Sequence, residues 1–173
     1  MLWVGLGNPG RSYAGNRHNV GFMALDRIVR DYSFSDWKIN TSSAVSEGRI
    51  GPVKIRALKP LSFMNKSGLP VANVASYYNL HPNQITVFHD EIDLDEGRCR
   101  VKQGGGHGGH NGLRDIINHL GKNYWRLRIG VGHPGEKSLV HNYVLSNPSK
   151  DEELDINIAM NNSFEDIDIL LDG

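Results

Sequence analysis

Val4–Asn19 reads VGLGNPGRSYAGNRHN, and the reading of this stretch decides the fold. Gly5, Gly7 and Gly10 fit G-x-G-x-x-G, the spacing of a dinucleotide-binding turn. In a nucleotide-binding βαβ unit the helix begins inside that motif, so the pyrophosphate meets free backbone N–H groups. Here Pro9 removes one such donor and, with Gly10, favours a tight turn. Gly15 and Asn16 then interrupt any helix before apolar periodicity starts near Asn19. A ribose-binding acid is expected at the end of the next strand, about 20 residues on. Asp26 and Asp31 lie near that distance but inside a helical pattern. The glycines match and their context does not, so the stretch reads as a strand, a turn and a polar loop.

Outward from it, Leu2–Leu6 is a short apolar strand. Asn19–Tyr32 places Val20, Met23, Ala24 and Ile28 beside Phe22, Leu25 and Val29, a helix with a wide apolar face. Ala44–Ile50 and Val53–Pro60 flank Gly51-Pro52 as two strands of a hairpin. Leu69–Asn79 is helical, with Pro70 acceptable in the first turn. Ile85–Leu94 begins as a β-branched strand and ends in acids, and Arg98–Lys102 is a shorter strand. A glycine-rich loop precedes a helix from about Asn111 to Leu120. Trp125–Gly132 is another strand, and Leu154–Leu171 a final amphipathic helix. Alternating strands and helices predict an α/β fold, a mixed twisted β-sheet covered by helices on both faces. No repeat or linker divides residues 1–173, which are expected to form a single domain.

Mean hydropathy of −0.41 and 39% hydrophobic residues describe an ordinary globule. No apolar run approaches the ~20 residues that span a bilayer. No basic, then apolar leader opens the chain, and Cys99 alone excludes an intrachain disulfide framework, so the expected location is cytoplasmic. The net charge of +0 hides an asymmetry. Residues 1–149 carry 18 bases against 11 acids, whereas residues 150–173 carry eight acids against Lys150. A basic body with an acidic tail permits a polyanionic partner; an acidic helix that is merely solvated would look the same.

Polar side chains collect where strands end. Asn8 and His18 follow the first strand, Asn65 follows Val53–Pro60, Asp90 ends its strand, and Asn111 opens a helix. In open α/β sheets the carboxyl ends of the strands form the ligand crevice. Imidazole, with an ordinary pKa of about 6.5, can serve as a neutral base near pH 7. Asp90 could accept the other ring N–H and stabilise the imidazolium, and asparagine amides could donate to an oxyanion. The set contains no nucleophile, so water is the natural attacker, and acyl transfer to water is the reaction type. Taken singly, each residue also reads as a cap or turn residue. His89, His107 and His110 invite a metal reading, but HGGHNG is loop rather than the helical H-E-x-x-H pair. There is no G-x-S-x-G elbow and no G-K-[ST] phosphate loop.

Six ordered motifs now matter together: GLGNPG, YAGNRHNVG, KPLSFMNKSG, HDEIDL, GGGHGGHNGLRDI and RLRIGVGHP. With NYVL (Asn142–Leu145) they make the chain resemble the bacterial peptidyl-tRNA hydrolase family over nearly its whole length. The resemblance implies a monomeric esterase that needs no metal or cofactor, touches no membrane, and frees tRNA from peptidyl-tRNA left by aborted translation. It implies that His18 is the base that activates water and that Asp90 supports it. Asn8 is associated with telling blocked from free aminoacyl groups. Tyr13, Phe63, Asn65 and Asn111 line the peptidyl-adenosine site. Lys102 and Arg128 match a basic pair that meets a tRNA phosphate, with Arg98, Arg100, Arg114 and Arg126 adding to a basic face. A non-catalytic RNA-binding domain and a nucleotide-dependent oxidoreductase are the rival classes.

Overall fold

The computed structural model describes residues 1–163 and 167–172. Its centre is a seven-stranded sheet in the order β2-β3-β4-β1-β5-β7-β6. The strands are β1 (Leu2–Gly5), β2 (Lys38–Ile39), β3 (Ser43–Ile50), β4 (Val53–Pro60), β5 (Ile85–Glu91), β6 (Cys99–Gln103) and β7 (Trp125–Gly130). β4, β1, β5 and β7 run parallel. β2 and β3 add antiparallel strands at one edge, and β6 pairs antiparallel to β7 at the other. The sheet is therefore mixed, as the alternating pattern predicts.

Period-two alternation sorts the strand residues between two cores. Leu2, Val4, Ile85 and Val87 face α2 (Gly68–Tyr77) and α3 (Asn111–Leu120), which contribute Val71, Ala75, Leu113 and Ile116. Trp3, Phe88, Leu127 and Ile129 face the other side. There they meet α1 (Val20–Asp31) and the C-terminal α5 (Lys150–Ser163) and α6 (Ile167–Asp172), which supply Ile156, Met160, Ile167 and Leu170. A short helix, α4 (Val140–Val144), precedes them. Among the described residues, then, the expected single helix at Leu154–Leu171 is two, the first beginning earlier at Lys150. The part of that expectation falling on 164–166 lies outside the described residues. No described helix is long and apolar enough to cross a membrane.

The opening glycines serve the packing of α1 on β1. A Cβ on Gly21 would stand 2.3 Å from the Phe88 carbonyl oxygen, and one on Gly5 would stand 2.5 Å from that of Gly21. Backbone meets backbone at this crossing, and the Phe22 N–H donates to the Leu6 carbonyl at 3.1 Å. Gly10 turns the chain at φ 107°, a left-handed conformation open to glycine. The helix starts ten residues later, at Val20, so the motif does not cradle a pyrophosphate on a helix N-terminus.

Candidate active site

Asn8 follows β1, and Asp90 is the penultimate residue of β5. His18 sits in a single 3₁₀ turn, Arg17–Asn19, just before α1. The parallel pairing of β1 with β5 brings these segments together at the carboxyl ends of the strands. His18 Nδ1 donates to Asp90 Oδ2 at 2.9 Å, and His18 Nε2 has no hydrogen-bond partner among the described residues. Asp90 is 3% exposed. Burial alone would push its carboxyl up; the adjacent imidazoles of His18 and His110 and the hydrogen bonds they donate outweigh this and hold it well below the carboxylate range. For His18, burial opposes the imidazolium, yet the Asp90 charge and hydrogen bond win and raise its pKa above the ordinary value.

A third member is one the sequence reading set aside. His110 Nε2 donates to Asp90 Oδ1 at 2.8 Å, so both carboxylate oxygens are engaged. His110 is also the N-cap of α3: its Nδ1 accepts from the N–H groups of Gly112 at 3.1 Å and Leu113 at 3.3 Å. A ring nitrogen that accepts carries no proton, so this network assigns His110 as the neutral Nε2–H tautomer. Its ring lies 4.9 Å from that of His18. Histidine is not among the preferred cap residues, so the sequence pointed to Asn111 as the helix opener instead. His89 completes the surroundings from β5 itself, donating from Nδ1 to the Asp90 carbonyl at 2.8 Å. Burial, and then the nearness of His110, push His89 down to about 3, so it stays neutral.

Asn8 is clasped on both sides. Its N–H donates to Asn19 Oδ1 and its carbonyl accepts from Asn19 Nδ2, each at 2.9 Å. Its Oδ1 accepts from the Met64 N–H at 2.7 Å, linking the loop after β1 to the loop after β4. With Oδ1 engaged, the amide orientation is set, and Nδ2 is left as a donor with no partner among the described residues. Asn19 was not picked out from the sequence, where it read as the start of a helical pattern.

The remaining expected residues fall into two groups. Tyr13 and Phe63 stand edge to face with centroids 6.5 Å apart, Phe63 being 58% exposed. Asn65 and Asn111 line a groove of about 260 Å³ with Arg114, Asp115 and Asn118. Asp115 Oδ2 accepts from the Gly68 N–H at 2.7 Å and so ties α3 to the start of α2. A larger concavity of about 750 Å³, lined by His81, Pro82, Asn83, Gln103, Gly104 and Asn123, opens at the amino ends of β5 and β7, far from this chemistry.

Lys102 and Arg128 lie diagonally across the β6–β7 pair, since Lys102 pairs with Arg126 and Arg100 with Arg128. Lys102 is exposed, whereas Arg128 Nε is held by Glu91 Oε1 at 2.8 Å. Arg126 departs from the expected basic face. It is 3% exposed, lies over the Tyr124 ring, and donates to the carbonyls of Gly105 and Gly106. Its charge braces the glycine-rich loop from below instead of meeting solvent.

His18, Asp90 and His110 each offer a ligand atom within 4.8 Å of the others. For a metal, the set is poorly prepared. A neutral imidazole that binds through Nε2 carries its proton on Nδ1, and at His110 that proton would point at the N–H groups of Gly112 and Leu113.

Fold and site together define the class: an α/β protein with a histidine–aspartate pair and a carboxamide held through its oxygen at the carboxyl ends of parallel strands. The family model described as "Peptidyl-tRNA hydrolase" matches residues 2–173, and the chain belongs to that family. A peptidyl-tRNA hydrolase of Dinoroseobacter shibae is 54% identical over 87% of this chain and 64% of its own length. One from Azorhizobium caulinodans is 56% identical over 88% of this chain and 74% of its own. The chain thus spans about two thirds to three quarters of these relatives. The crystal structure of peptidyl-tRNA hydrolase from Acinetobacter baumannii superposes with a TM-score of 0.96 at 40% identity, covering 100% of this chain and 89% of that one.

Proposed function

We propose that the protein hydrolyses the ester bond between a peptide, or an N-blocked aminoacyl group, and the 3′-terminal ribose of tRNA. Free tRNA and peptide are released, which returns tRNA from aborted translation. The observation that carries this reading is the buried Asp90 accepting from His18 Nδ1 at 2.9 Å while Nε2 stays open. His18 Nε2 takes a proton from water as the water oxygen attacks the ester carbonyl carbon. Asp90 stabilises the imidazolium, which then returns the proton to the departing ribose oxygen. Asn8 Nδ2, oriented by Met64, donates to a substrate carbonyl and favours an N-blocked aminoacyl group. Tyr13, Phe63, Asn65 and Asn111 receive the peptidyl-adenosine end. Lys102 and Arg128 hold a phosphate, with Arg98, Arg100 and Arg114 as further cations.

No metal or cofactor takes part in this scheme; for a metal, the reading is supported by the tautomer that capping α3 fixes on His110. We also propose that residues 1–173 act as one domain, as a monomer in the cytoplasm. The deciding assay follows deacylation of N-acetylaminoacyl-tRNA in the presence of a chelator and without cofactor. Turnover is expected, and its absence would favour a non-catalytic RNA-binding domain; bound nicotinamide cofactor on purification would favour the oxidoreductase class. His18→Ala is expected to slow turnover ~10²–10⁴-fold with tRNA binding nearly unchanged. A rate close to wild type in that variant removes His18 as the base.

A further inference from the structure

We infer that Arg17 is a positioning residue for His18, through which segment 143–152 near the C-terminus sets the aim of the catalytic base; the inference rests on the reading of His18 as that base. The turn Arg17–Asn19 is three residues long, and no side chain caps it. One turn cannot hold its own orientation, so the orientation is imposed from both flanks. On the Asn19 side the clasp with Asn8 does this. On the other side Arg17, 6% exposed, reaches into the C-terminal part of the chain.

Both terminal nitrogens of its guanidinium are engaged, while Nε is buried with no partner among the described residues. Nη1 donates to the Tyr143 carbonyl at 3.1 Å, the Ser146 carbonyl at 3.3 Å and Ser146 Oγ at 2.6 Å. Nη2 pairs with Glu152 Oε2 at 2.7 Å, and the group lies 3.9 Å over the Tyr143 ring. The backbone adds to it: Arg17 N–H donates to the Ser146 carbonyl at 3.1 Å, and Asn16 Nδ2 donates to Asn147 Oδ1 at 2.9 Å. Tyr143 is itself anchored, its hydroxyl donating to the Val131 carbonyl at 2.6 Å beyond β7.

The pair with Glu152, whose side chain is 33% exposed, adds little net stability, because solvent screens it and desolvation of Arg17 offsets the Coulomb gain. What a planar five-donor fork supplies is direction. The neighbouring residue has a demanding need for direction: His18 Nδ1 must stay on Asp90 while Nε2 faces the substrate, and a misplacement of ~1 Å can cost ~10²-fold. Asp90 and His110 are the titratable groups that face His18. Arg17 meets Glu152 and Tyr143 instead, so it acts through the placement of the turn.

The test compares Arg17→Met and Arg17→Lys with wild type on N-acetylaminoacyl-tRNA, well below the melting temperature. Arg17→Met is expected to lower kcat about 10–100-fold with KM changed less than about threefold. The acid limb of its kcat/KM profile moves to lower pH, as His18 loses its seat on Asp90. Arg17→Lys, which keeps the charge for Glu152 without the fork, recovers part of kcat. In a His18→Ala background Arg17→Met adds no further loss. If Arg17→Met folds poorly, Glu152→Gln removes the ion pair alone and shifts kcat and the acid limb the same way by less. A lowered Tm with unchanged kcat and acid limb, or an undiminished Arg17 effect in the His18→Ala background, overturns the inference. A wild-type rate in His18→Ala instead overturns the reading of the base beneath it.

Discussion

Asp90 receives three histidines, and each is fixed in a different way. His18 and His110 take one carboxylate oxygen each, and His89 takes the backbone carbonyl. His110 thereby shares the negative charge that raises the pKa of His18. Replacing His110 by asparagine separates its two jobs, because asparagine is among the best N-cap residues but is too short to keep the bond to Asp90. His110→Asn keeps the cap but leaves Asp90 Oδ1 unpaired, which is expected to cost about 1–3 kcal/mol, while Asp90 pulls harder on His18. The sign follows from the base having to be neutral. Wild-type kcat/KM falls as pH drops through the His18 pKa, which Asp90 holds above 6.5. In His110→Asn that acid limb moves to still higher pH, with a lower plateau. A pH–rate profile checks this, and an unmoved acid limb would mean that His110 only caps α3.

Among the elements, β1 and α1 are joined by a contact that allows no side chain. A Cβ at Gly21 would meet three backbone atoms within 2.7 Å, two from Leu6 and one from Phe88. Strand and helix must then separate, and with them Asn8, His18 and Asp90. Gly21→Ala is expected to destabilise the fold by more than about 2 kcal/mol, as overpacking of a tight site does. Gly106→Ala, where nothing lies within 4 Å of the new Cβ, is expected to stay within about 0.5 kcal/mol. Urea denaturation of the two variants measures the contrast, and equal midpoints would mean that β1 and α1 can part without cost. The main elements were legible because their signals are local. The glycine-rich loop and the apolar periodicity behind it marked α3 as Asn111–Leu120, which are its observed bounds. β2 was missed because two residues carry no period, and the helix over Leu154–Leu171 merged two helices with one apolar pattern. In the site, Asn8, His18 and Asp90 stood out because turns and strand ends place polar residues legibly. His110, Asn19 and Arg17 did not, because their roles lie in bonds to residues 11 to 135 positions away. Arg126 misled because charge shows in a sequence and burial does not.

Across the whole molecule the charge asymmetry becomes a matter of opposite faces. Cys99 and Val101 pack on the α1 and α5 side, so by alternation Arg100 and Lys102 point to the other. The acidic first turn of α5, Asp151 to Glu153, therefore lies across the sheet from the basic stripe and favours its own helix N-terminus. On the stripe, Arg100 stands directly opposite Arg128, an unfavourable like-charge pair that a bound phosphate would relieve. The two cations proposed to hold that phosphate are not equally available. Lys102 is exposed, whereas Arg128 must first give up Glu91 at 2.8 Å. Lys102→Ala is expected to weaken tRNA binding and reduce the slope of log Kd against log salt by about 0.7–0.9, the loss of one phosphate contact. Arg128→Ala is expected to do the same by a smaller amount, because its net charge toward the RNA is already offset. Glu91→Gln frees Arg128 and is expected to tighten binding and steepen the slope. Titrating a peptidyl-tRNA against these variants in a His18→Ala background, from low to moderate salt, reads all three without turnover. Identical slopes in all of them would take both cations out of the phosphate contact, whereas a steeper slope in Glu91→Gln alone would leave Arg128 as the one that carries it.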